Sequence, residues 1–230
     1  MNAAHSCWPS LQEWTLSFVP FGLLLVAALL LPELVTPGGS APTLSLLNEV
    51  VGVDDPASRP VPVGTPGLAL YRAILTIWVS TLLLIPALCL YTLPSSGSCQ
   101  ANLARLFWTF SYLAYMVHFW YAGFVIFGGI AGILENMRPP IAITNLVLTA
   151  WWTLDVVLTW AVRSDGLVVR LEQILARTLI FLVFAVTEIF LRPTMIQYLG
   201  ITLVVCVAIS LLVRLSAGPT TEAPPSAAPV

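Results

Sequence analysis

Few side chains in this sequence can do chemistry, and the most suggestive lie inside apolar runs. His118 stands near the middle of RLFWTFSYLAYMVHFWYAGFVIFGGIAGIL, with no other acidic or basic side chain between Arg105 and Glu135. Asp155 stands in LVLTAWWTLDVVLTW. A carboxylate at a helix centre in lipid costs about 3 kcal/mol or more, so Asp155 must face a partner or a wet cavity. A histidine and a carboxylate on neighbouring helices can relay a proton, and they can equally serve as interhelical hydrogen-bonding groups. The bland reading of Asp155 is a buried carboxylate held by an indole, a Thr hydroxyl or Arg177. That of His118 is a structural bond across helices.

Two further charges belong to the same candidate polar site. Arg177, Phe181, Phe184 and Glu188 share one helix face by their spacing. Arg177 falls at the membrane level of Asp155 in a six-helix topology. Glu188 stands four residues before Arg192, and that spacing predicts an interfacial ion pair. No catalytic motif stands in a suitable context. A bis-histidine haem needs a second membrane histidine, and His5 lies outside the helices. Four scattered cysteines form no zinc spacing, so neither metal nor cofactor is expected. Cys7 and Cys99 fall on the same side of the membrane, and a disulfide between them would mark that side as oxidising.

These residues need long apolar helices to position them, and the chain supplies several. Spanning a bilayer takes about 20 apolar residues in a helix. The pattern predicts an all-α, polytopic membrane bundle with transmembrane helices at about 14–32, 68–93, 105–134, 141–162, 175–191 and 195–214. Segment 1–13 precedes the membrane domain 14–215, and 216–230, rich in Pro, Ala and Thr, reads as a disordered tail. The polar loop 33–67 holds TLSLLNEVVG, which fits a short amphipathic helix from Thr43 to the Gly52 stop. Pro32 is expected to end the first helix and Pro86 to kink the second. Ser80 and Thr81 are placed to satisfy the carbonyls so freed.

The third helix carries two stripes. Ser111, Ala114, His118, Ala122, Val125, Gly129 and Gly132 make one of mostly small side chains, and Trp108, Tyr112, Tyr115 and Phe119 make a bulky one beside it. Gly128 and Gly132 form a GxxxG, so Gly128, Gly129 and Gly132 are the expected helix-packing residues. The short ENMRPP turn makes this helix and the next antiparallel neighbours.

Composition bounds the class. The 230 residues are 58% hydrophobic and 9% charged, far below the charge of soluble domains. A net charge of −2 gives no case for nucleic acid. The lipid bilayer is the expected partner, together with other membrane subunits or an apolar ligand. A bacterial inner membrane is the expected location. Arg105, Arg163, Arg170, Arg177 and Arg214 outnumber Arg59, Arg72, Arg138 and Arg192, which favours cytoplasmic termini. The favoured function is a non-catalytic accessory or assembly subunit, or a module binding apolar ligands. The alternative is a small proton-coupled carrier using Asp155 and His118. The third is a membrane enzyme acting on lipid or quinone.

Overall fold

The computed structural model describes residues 8–35, 67–94, 97–162, 166–190 and 195–217. Every regular element among them is helical: α1 (Leu11–Val35), α2 (Gly67–Thr92), α3 (Ser98–Phe119), α4 (Ile130–Asn136), α5 (Pro139–Ala161), α6 (Leu167–Phe190) and α7 (Met195–Ser216). Among the described residues five helices are long and apolar enough to cross a membrane, and six are reached where the bent α3–α4 unit counts as one span. The chain is a multi-pass membrane protein. The amphipathic segment 43–52, the tail 218–230, Cys7, Arg163 and Arg192 lie outside the described residues.

α1 starts three residues earlier than the apolar run suggests, and a capping box explains it. Ser10 N–H donates to Glu13 Oε2 at 2.6 Å, while Glu13 N–H donates to Ser10 Oγ at 3.3 Å. That S-L-Q-E exchange satisfies two orphan donors of the first turn. Asn102 of α3 also donates to Glu13 Oε2, at 3.3 Å, which ties the cap to its neighbour. The helix runs through both Pro20 and Pro32, so Pro32 does not end it. At its far end, Glu33 forms an ion pair with Arg72 of α2, whose Nε also donates to the Leu29 carbonyl.

α2 is the axis of the bundle. Of its spanning window, 61% lies inside the protein, against 17% to 28% for α1, α5, α6 and α7. It packs on α1, α3 and α7, while α3 meets α5, and α6 meets both α5 and α7. Between α2 and α3 the contact is close because it is built on serines. Ser80 Oγ donates to the Ser111 carbonyl at 2.9 Å, and Ser111 Oγ donates to the Ser80 carbonyl at 2.8 Å. Ser80 thus serves α3, and Thr81 donates to the Ile77 carbonyl and to Glu188. Neither hydroxyl serves the carbonyl that Pro86 frees, which differs from the expectation. The turn into α3 is held by Gln100, whose amide donates to the Leu90 carbonyl at 2.8 Å.

α3 does not continue to residue 134. Its backbone widens into a π-helical stretch at Trp120–Ile126, then bends by 73° into α4. Gly128 and Gly129 take φ of 75° and 106°, a region that favours glycine, and they make the bend. The core behind these helices gathers Leu84, Leu88, Trp108, Tyr115, Trp152, Phe184 and Leu203 from α2, α3, α5, α6 and α7.

Candidate functional site

The bulky stripe of α3 faces α5 and forms a ladder with it. Tyr115 and Thr149 hydroxyls lie 2.7 Å apart, and Tyr112 and Thr153 hydroxyls 2.9 Å apart. One rung further, Trp108 Nε1 donates to Asp155 Oδ2 at 2.6 Å. The registers run oppositely along the two chains, so α3 and α5 are antiparallel neighbours, as the short connection predicts. The stripe appears because Trp108, Tyr112 and Tyr115 recur at helical spacing, as do Thr149 and Thr153, with Asp155 two residues further on.

Asp155 is fully buried. Its holder is an indole, one of the three structural partners expected for it. The indole belongs to α3, not to the flanking Trp151 or Trp152 of its own helix. Charged groups from α6 surround it: Arg177 and Glu172 both act on the carboxyl. The Arg177 guanidinium lies 3.6 Å from the centre of the Tyr91 ring and 5.9 Å from that of Trp108. A cation over aromatic faces is attracted by their quadrupoles, so the guanidinium sits in a cage of rings. Arg105 of α3 donates to the Thr159 carbonyl at 2.7 Å and lies over the Trp160 ring at 4.7 Å. The site is thus a polar island at one end of the bundle. Tyr91 reaches it from the end of α2, Trp108 and Arg105 from α3, Asp155 and Thr159 from α5, and Glu172 and Arg177 from α6.

Glu172 is the member that the sequence pattern does not reveal. With a fifth helix expected from residue 175, Glu172 reads as part of a charged loop. In the structure α6 begins at Leu167, so Glu172 lies in its second turn. Trp151 Nε1 donates to Glu172 Oε1 at 3.1 Å. The available signal is the apolar pattern of Leu167, Val168, Leu171 and Ile174, which is already helical.

His118 is elsewhere. It points into the protein, where its Nδ1 lies 2.7 Å from the Ala73 carbonyl of α2. Ten residues separate it from Trp108 on α3, about 15 Å along the axis at the helical rise. The structure therefore does not bring His118 and Asp155 together. Arg177 shares a neighbourhood with Asp155, since both approach Trp108.

Glu188 is buried rather than interfacial, and Arg192, its expected ion-pair partner, lies outside the described residues. Thr81 of α2 donates to Glu188. Gly200 of α7 closes over it: a Cβ there would come within 2.8 Å of Glu188 Cβ. The missing side chain is what lets α7 cover this carboxyl.

The glycines expected to pack helices do other work. Nothing approaches the position where a Cβ of Gly128 or Gly129 would lie, so their role here is conformational. Gly132 closely approaches its own chain, because a Cβ there would meet the Phe127 carbonyl. Of the small stripe, Ser111 and Ala114 are the fully buried members, and they face inward beside His118.

An open apolar groove of about 560 Å3 runs between α1 and the end of α3. Phe21, Leu29, Met116, Trp120 and Tyr121 line it. Among the described residues, no three His, Cys, Asp or Glu side chains gather closely enough to hold a metal ion. Comparison with protein-family models, with curated proteins and with solved structures returns no match.

Proposed function

We propose that this chain is a non-catalytic membrane protein, an accessory or assembly subunit that packs against a larger membrane complex. The observation that carries this reading is the enclosure of Asp155. The acid best placed to mark a transport path is buried against an indole and ringed by aromatic side chains, about 15 Å along α3 from the one membrane histidine. Buried polar groups bonded in this way hold helices together. The outer faces of α5, α6 and α7 support the same reading. They expose Leu154, Val157, Leu175, Val186, Val205 and Ile209, an apolar surface suited to other membrane helices.

The groove lined by Phe21, Leu29, Met116, Trp120 and Tyr121 favours a second form of the reading, in which the chain holds an apolar ligand. The separation of His118 from Asp155 weighs against the proton-coupled carrier. Among the described residues, no arrangement of nucleophile and base supports the membrane enzyme. Counting the bent α3–α4 unit as one span, the first described helix begins and the last ends on one side, and the arginine count favours the cytoplasm of a bacterial cell.

Purification in a gentle detergent followed by native mass spectrometry tests the proposal. A retained membrane subunit, or a retained apolar ligand, is expected. A lone, ligand-free monomer with pH-driven flux in vesicles, abolished by Asp155→Asn, would replace this reading with the carrier.

A further inference from the structure

We infer that Asp155 of α5 and Glu172 of α6 form a carboxyl pair that holds one proton between Asp155 Oδ1 and Glu172 Oε2. This goes beyond the proposed function and stands whether or not a partner subunit is found.

The geometry is symmetrical. Each carboxyl has one oxygen held by an indole: Trp108 Nε1 donates to Asp155 Oδ2 at 2.6 Å, and Trp151 Nε1 donates to Glu172 Oε1 at 3.1 Å. The remaining oxygen of each, Asp155 Oδ1 and Glu172 Oε2, is buried and has no hydrogen-bond partner among the described residues. Glu172 is drawn to this part of α5 by its bond from Trp151, one turn before Asp155, and it acts on the Asp155 carboxyl. Trp151 and Asp155 stand one turn apart on α5, so a single Glu172 side chain reaching across from α6 meets both.

Ionised carboxylates only accept hydrogen bonds, so two facing oxygens of this kind repel. One proton turns one of them into an O–H donor and makes the contact attractive. Charge balance asks for the same proton. The groups facing the pair are Arg177 from α6, Tyr91 from α2, Trp108 from α3 and Trp151 from α5. Arg105 is already committed to the Thr159 carbonyl and the Trp160 ring. Arg177 is the guanidinium that acts on the Asp155 carboxyl, and a single guanidinium balances one of two carboxyl charges. A pair sharing a proton carries one negative charge, which Arg177 neutralises; a doubly ionised pair leaves one buried charge uncompensated, and that is unfavourable in a low-dielectric interior.

The pair can exchange its proton with water. Asp155 is six residues from the end of α5 and Glu172 five from the start of α6, so both lie about 8 Å from the same end of the bundle. A proton arrives from that face and leaves to it, and no other bond forms or breaks. The stabilisation it provides is present at low pH and is lost as pH rises and the second carboxyl ionises. The α5–α6 contact loosens accordingly.

The test uses the full chain in detergent micelles. Infrared spectra of wild type should show the carbonyl stretch of a protonated carboxylic acid that disappears at high pH. That band should be lost in both Glu172→Gln and Asp155→Asn, and kept in Glu188→Gln, which separates it from the other buried acid. The thermal midpoint of wild type should fall as pH rises, while that of Glu172→Gln should stay level, because its amide donates permanently to Asp155 Oδ1. If Glu172→Gln does not fold, Asp155→Asn replaces it with the same expectation. Wild-type stability that does not change with pH, with no band assignable to either residue, overturns the proposal. A high-pH loss reversed by sodium or potassium ions would overturn it too, assigning the site to a cation instead of a proton.

Discussion

Trp108 and Asp155 are joined across α3 and α5 by a 2.6 Å bond from indole to carboxylate, and neither side chain reaches the surface. Hydrogen bonds to charged groups contribute about 1.5–3 kcal/mol net. Trp108→Phe keeps an aromatic ring beside Trp152 and Tyr91 but removes the donor. We expect it to lower the unfolding free energy by about 2 kcal/mol, read from SDS titration of mixed micelles. A midpoint equal to wild type would mean that the bond contributes nothing.

The reciprocal serine bonds between α2 and α3 lead to a contrast of size against polarity. In membranes such interhelical bonds average about 0.6 kcal/mol, so Ser80→Ala and Ser111→Ala should each cost little. Ser111→Leu should cost far more, because Ser80 and Ser111 have no exposed surface and no room for a longer side chain. Equal losses for the alanine and leucine variants, in the same titration, would show that close approach is not what holds these helices.

The bend after α3 rests on glycine. Substituting a residue with a Cβ at φ of 75° or 106° strains the backbone by about 1–3 kcal/mol. Gly132→Ala adds a collision with the Phe127 carbonyl, whereas Gly22, with nothing within 4 Å, is the matched control. We expect Gly132→Ala to shift the tryptophan fluorescence and Gly22→Ala to leave it unchanged. Identical spectra for both variants would contradict the geometry.

Gly200 covers Glu188, and a Cβ would also come within 3.1 Å of Ile189 Cγ1. Gly200→Val should therefore push α7 away from α6 and let water reach the carboxyl. Faster amide hydrogen exchange around residues 184–190 is the expected readout. Exchange as slow as in wild type would show that α7 does not shield it.

Much of this architecture is legible in the residues themselves. Six apolar runs are visible because hydrocarbon leaves the backbone no alternative to helix. The indole partner of Asp155 follows from the same logic, since a carboxylate in such a run must find a donor. What is not legible is which indole, because that depends on how α3 and α5 rotate against each other. His118 illustrates the limit from another side: its partner is a backbone carbonyl, and every residue has one. Glu172 escapes notice because Arg170 and Glu172 dilute the start of α6, although the apolar positions there already keep helical period. Glu188 looks interfacial by its place near a helix end, and Thr81 of α2 and Gly200 of α7 make it interior. Ser10 and Glu13, by contrast, spell out the start of α1 in the chain itself.

Placing the most enclosed helix second in the chain has a consequence for biogenesis. α2 finds α1 and α3 soon after it is made, but it meets α7 only after α3 to α6 have been synthesised. Until then the flank of α2 toward Leu203 lacks its partner. The newborn bundle stays incomplete for most of its synthesis, and a chain cut short before residue 195 would present that flank to whatever quality-control machinery surveys the membrane.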